Sequence, residues 1–140
     1  MLFRSYAGRH AQARRFETEA DAFGAEGYAR VLNPVRARIA LARGEVPDVD
    51  FGGPTRRHAY WFGLAAASAA LDLATARRDQ DEVERLAADV PQGNRYLRPF
   101  AWRSLGAVRG DDALMRRAID EFEAMSLSWH AGETRALSAS

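Results

Sequence analysis

The chain has 140 residues, enough for one ordinary hydrophobic core with little room for a second. Its 20 basic residues, all arginine, nearly cancel 19 acidic ones to leave +1, which removes the concentrated basic excess by which phosphate backbones are recognised. No cysteine is present, which excludes a disulfide framework, a thiolate nucleophile and a zinc–thiolate site and is compatible with a reducing cytoplasm.

Alanine and charged residues dominate and runs of Val, Ile and Thr are scarce, so the composition predicts an all-α fold with no sheet. Leu2, Phe3 and Tyr6 read as the last turns of a helix whose start is missing, closed by Gly8. The same stretch lacks the apolar core of a signal peptide. A second helix, Arg9 to Phe23, aligns Ala13, Phe16, Ala20 and Phe23 on one face. A third, Ala25 to Arg43, aligns Tyr28, Leu32, Val35 and Ile39, with Pro34 inside it expected to kink or split it.

Residues 44–53, with Pro47, Asp48, Asp50 and Gly52-Gly53, have loop chemistry and no periodicity. Pro54 opens a fourth helix that runs to about Arg78 and carries Trp61, Phe62, Leu64, Leu71 and Leu73 nearly all round, the pattern of the most buried helix. Its apolar part, Ala59 to Ala76, is interrupted by Ser68 and Asp72 and flanked by arginines, so a buried helix is expected and no membrane span. Asp79 with Glu82 forms a capping box for a short helix bearing Val83, Leu86 and Ala87, ended by Pro91 and Gly93.

The chain is organised around 100–137. Pro99 starts a helix in which Ala101, Trp102, Leu105 and Val108 form the apolar face while Arg103 and Arg109 stay wet. Gly110 ends it, and Asp111 has the side chain to accept the free amide hydrogens of the next start. The following helix, about 112–125, has Leu114, Met115, Ala118, Ile119, Phe122 and Met125 on one stripe. A turn this short makes the two helices pack antiparallel.

Trp102, Leu105 and Gly106 have the W-x2-L-G spacing, and Ala118 and Phe122 the A-x3-F spacing, of a tetratricopeptide repeat. One constant offset lays Gly8 on Gly110, Ala11 on Ala113, Arg14-Arg15 on Arg116-Arg117 and Ala22 on Ala124, and it equals three periods of about 34 residues. The run from Arg109 through Phe122 to Trp129-His130-Ala131 and Leu137 resembles the last repeat in the C-terminal tetratricopeptide-like arrays of large bacterial regulators. Those arrays follow a nucleotide-cyclase or signal-transduction ATPase core and include regulators of the LuxR type. The resemblance departs at Arg109, where a tyrosine is usual, at His130, where a proline is usual, and across 44–58, where a second repeat helix is missing. It implies a single domain over 1–140, an α-solenoid of antiparallel helix-turn-helix repeats truncated on its N-terminal side. Without polar capping repeats, such a chain is expected to belong to a longer protein or to pair its exposed ends in a homodimer.

Candidate chemistry is sparse. His10, His58 and His130 lie in different helices without ligand-spaced partners, so no metal site is expected, and Gly52-Gly53-Pro54-Thr55 lacks the lysine and spacing of a phosphate loop, so no cofactor is expected. Arg109-Gly110-Asp111 has the letters of an adhesion motif, yet its glycine and aspartate are explained as helix stop and cap. The alternation of Arg95, Tyr96, Arg98, Phe100, Trp102 and Arg103 has the elements of a base-stacking surface, against which stand the near-neutral charge and the use of Trp102 as a core residue. Arg117 stands four residues before Glu121 as an ordinary ion-pair partner.

The resemblance places the first helices of successive repeats along a concave groove. The groove-facing phase selects Arg36 and Arg43, then Leu73 and Arg77, then Arg103 and Ser104, with Tyr6 and Arg9 on the truncated first unit. The expected function is therefore non-catalytic: a cytoplasmic interaction module of a bacterial signalling protein that holds a protein or peptide, acidic where it meets the arginines. The alternatives are a small-ligand-sensing segment of a transcriptional regulator, marked by a closed apolar pocket, and an enzyme fragment, marked by a cleft with perturbed carboxylates.

Overall fold

The computed structural model describes residues 29–49, 51 and 61–139. Among them are six helices and no strand: α1 (Ala29–Ala42), α2 (Trp61–Ala76), α3 (Gln80–Ala88), α4 (Arg98–Arg109), α5 (Asp112–Ala124) and α6 (Ser128–Ser138). The helices expected over 2–8 and 9–23, the earlier copy of the repeat, Tyr6 and Arg9 lie outside the described residues. The chain forms two compact units, Met1–Ala69 and Ala70–Ser140.

In the first unit, α1 passes through Pro34 without being split, and Pro34, Ala37, Arg38 and Ile39 are buried. Arg38 donates to the buried Ser68 hydroxyl at 2.6 Å, and that hydroxyl donates to the Ala65 carbonyl oxygen. A guanidinium inside a helical layer thus has an acceptor, as burial of a charge requires. Residues 45–49 and 51 carry no regular secondary structure.

In the second unit, α3 packs on α4, α4 on α5 and α5 on α6, and α6 also reaches α4. The core joins Leu71 and Ala74 from α2, Val83 and Leu86 from α3, Phe100 and Ala101 from α4, Ala118 and Phe122 from α5, and Ala131 from α6. Phe122 and Phe100 are fully buried and meet edge to face, with centroids 4.9 Å apart. Only Gly110 and Asp111 separate α4 from α5, so the helices reverse against each other. Gly106 lets them close: a Cβ there would stand 2.8 Å from Met115 Cγ and 3.0 Å from the Asp111 carbonyl oxygen.

The corners repeat one design. After α2, Arg78 takes a left-handed conformation (φ 56°), and the Asp79 amide donates to the Ala74 carbonyl. After α4, Gly110 does the same (φ 67°), and the Asp111 amide donates to the Gly106 carbonyl. In each case the very next residue is an aspartate that caps the following helix: Asp79 accepts from the Glu82 amide at 3.1 Å, Asp111 from those of Ala113 and Leu114 at 2.9 and 3.1 Å. This is a left-handed helix stop joined to an N-cap with no residue between. The expected capping box at Asp79 is only half made. The Asp79 amide is taken by Ala74, and the Glu82 carboxylate turns to Arg85 instead.

Two expectations on α4 are corrected. Arg103 does not stay wet: it is 4% exposed. The fully buried face also takes in Phe100 and Ser104, while Trp102, Leu105 and Val108 are half-buried. No helix of the described residues is long and apolar enough to cross a membrane.

Candidate functional site

The residues expected on the concave face fall into different surroundings. Arg36 and Arg43 are half-buried in the first unit, two turns apart around α1 and its end. Arg43 encloses its Nε and one terminal nitrogen with no hydrogen-bond partner for either. Arg77 is exposed immediately after α2, and Leu73 is buried. Arg103 and Ser104 are inside the second unit, so neither offers its side chain to an open groove.

Arg103 Nη2 donates to Asp72 Oδ1 at 2.5 Å, and the guanidinium carbon stands 5.1 Å from the ring centres of both Phe100 and Phe122. Its Nη1 faces the carbonyl oxygen and ring Nδ1 of His130 at 3.5 Å. His130 in turn stacks on Phe122 and meets Phe100 and Trp129 edge on. The arginine is thus absorbed by one carboxylate and two π faces, which explains its burial. Next to it the Ser104 hydroxyl is fully buried with no hydrogen-bond partner.

The outer seam between α4 and α5 has a different character. Arg98 and Trp102, one turn apart on α4, meet Arg117 and Glu121, one turn apart on α5. The Arg98 and Arg117 guanidinium carbons lie over the Trp102 indole, 5.3 and 4.1 Å from its centre. Arg117 therefore does not pair with Glu121, as its spacing had suggested; the ring across the helix boundary takes it. Glu121 Oε1 is instead approached by Arg95 at 3.5 Å and Arg98 at 3.6 Å, neither close enough to be a strong hydrogen bond, and it is buried with no hydrogen bond at all. Arg98 Nε is likewise enclosed and unbonded.

Three other outward arginines of this unit are matched. Arg85 binds Glu82 in a fork and reaches Asp89, Arg109 forks onto Glu84, and Arg135 bonds Glu123. The hydrogen bonds from Arg85 and Arg109 hold the Glu82 and Glu84 carboxyls below the ordinary glutamate range and raise both guanidinium values further, with burial opposing each shift. The seam thus brings three guanidiniums, of Arg95, Arg98 and Arg117, around one carboxylate and one indole without a carboxylate hydrogen bond to any of the three.

Periodicity alone hid this seam. The aromatic and basic alternation over 95–103 did single out Arg95, Arg98 and Trp102, but their joining to Arg117 and Glu121 depends on how α5 lies on α4. Among the described residues no group of His, Asp and Glu side chains is arranged to hold a metal ion. Comparison with protein-family models, with curated proteins and with solved structures gives no match.

Proposed function

We propose that the chain is a tetratricopeptide-like interaction module of a bacterial signalling or regulatory protein, working without catalysis in the cytoplasm and holding a segment of a partner protein. One observation carries the reading: the corners at Arg78-Asp79 and Gly110-Asp111 repeat the same stop and cap 32 residues apart, and Gly44, 34 residues before Arg78, closes α1 with the same left-handed stop. A spacing close to 34 residues is that of helical hairpins stacked into a solenoid, whose use is to present an extended surface. The contact order in the second unit, each helix on its sequence neighbour, is what such stacking demands.

A second reading, a segment that senses a small ligand, draws support from the enclosed and unbonded Ser104 hydroxyl of the second unit. Native mass spectrometry of the protein isolated from its source cells separates the two. An identified polypeptide retained in stoichiometric amount supports the interaction module. A retained mass of a few hundred daltons, about the size a ligand pocket encloses, supports the sensor, and turnover of such a ligand overturns the non-catalytic reading.

A further inference from the structure

The geometry points to the α4–α5 seam, around Arg95, Arg98, Trp102 and Arg117, as the docking surface for an acidic segment of a partner protein. This inference rests on the interaction-module reading and names the partner's chemistry and the place where it binds. It differs from the concave-face set in using none of those residues.

Three observations carry it. The first is a charge imbalance: three guanidiniums share the seam with one carboxylate, Arg95 and Arg98 beside Glu121 and Arg117 at the Trp102 ring, a local excess of two positive charges. The second is the way Arg117 is held. A guanidinium lying over an indole keeps its N–H groups in its own plane, where a carboxylate can accept two of them side by side. The Arg117 side chain is exposed, its guanidinium carbon lies 4.1 Å from the Trp102 ring centre, and it has no carboxylate partner, so no carboxylate occupies its donors. The third is the contrast with Arg85, Arg109 and Arg135, which have hydrogen-bonded carboxylates of their own. Arg95 is 72% exposed and only loosely drawn to Glu121, so it can turn to an incoming acceptor at little cost.

Carboxylates suit this seam better than a phosphate backbone. The chain as a whole carries only +1, and Glu121 lies among the arginines, where it repels a dense row of phosphates more than scattered Asp and Glu side chains. Trp102 is half-buried, so its remaining edge offers apolar contact between the carboxylates.

The test uses the whole chain and fluorescence anisotropy with three probes: a labelled acidic peptide of mixed Asp, Glu and Leu, its counterpart with Asn and Gln in place of the acids, and an oligothymidine of equal length. The acidic peptide should bind at least about tenfold more tightly than either of the others. Arg95→Ala/Arg117→Ala should weaken it about tenfold with an unchanged thermal melt, while the control Arg135→Ala leaves it as it was. Equal or tighter binding of the oligothymidine assigns the seam to nucleic acid and overturns the proposal. So does equal loss with Arg135→Ala, which marks diffuse charge attraction, and so does the absence of peptide binding. If the peptide fails while an identified polypeptide still accompanies the protein from cells, the seam proposal falls and the interaction module stands.

Discussion

Arg103 and Asp72 form a 2.5 Å ion pair between α4 and α2, with the guanidinium 4% and the carboxylate 12% exposed. A buried pair adds little net stability, but removing one partner leaves a charge in the core without its counter-ion. Asp72→Asn should therefore cost about 3–5 kcal/mol in urea unfolding, and Asp72→Leu/Arg103→Met should recover most of the loss. A single variant as stable as the wild type would show that the pair is open to water.

Phe122 is the anchor of the second unit, fully buried and in contact with Phe100, His130 and Arg103. Phe122→Ala should lower unfolding free energy by about 3–5 kcal/mol. A loss under about 1 kcal/mol would mean that the cavity collapses or that the face is wrongly assigned.

Gly106→Ala sets two effects against each other. Helix propensity favours alanine by about 1 kcal/mol, but the added methyl would meet Met115 Sδ at 2.9 Å and the Asp111 carbonyl oxygen at 3.0 Å. The Met115 side chain can swing aside; the backbone oxygen is fixed by the corner. Overpacking of about 1–3 kcal/mol should prevail, giving a net loss in thermal stability. A net gain would show that the corner relaxes freely.

Acid should loosen the outer face of α3. Glu82 and Glu84 are held below the ordinary glutamate range in the folded state by the hydrogen bonds from Arg85 and Arg109. Their contribution is complete above the unfolded-state value and is lost as pH falls through the lower folded-state values. The thermal midpoint should drop below the ordinary glutamate range, and Glu84→Gln should flatten that drop at low salt. Both pairs are exposed, so salt should shrink the effect.

Local chemistry was legible in the sequence and long-range pairing was not. Gly110 and Asp111 announced a corner because a left-handed stop and an amide-capping side chain act within a few residues. The stripe of Met115, Ala118 and Phe122 showed for the same reason, since period alone defines it. Arg103 looked wet because its carboxylate is 31 residues away on α2, and no pattern on α4 records it. Arg117 seemed destined for Glu121 by spacing, but an indole on the neighbouring helix competes for the same guanidinium and holds it. The Asn94 side chain, which accepts the Leu97 amide just ahead of α4, leaves no signal in the helix pattern because it stands three residues before the N-cap position.

Arg78 occupies a backbone conformation that glycine occupies at the equivalent corner, and for a residue with a Cβ that conformation costs about 1–2 kcal/mol. Arg78→Gly should therefore be neutral or stabilising. The same strain makes this corner easier to unfasten than the one at Gly110. Arg77 and Arg78 are both exposed there, so a protease that cleaves after arginine should enter at this corner before the one at Arg109 and release a fragment that begins at Asp79. Limited trypsin digestion followed by mass measurement would read that order directly.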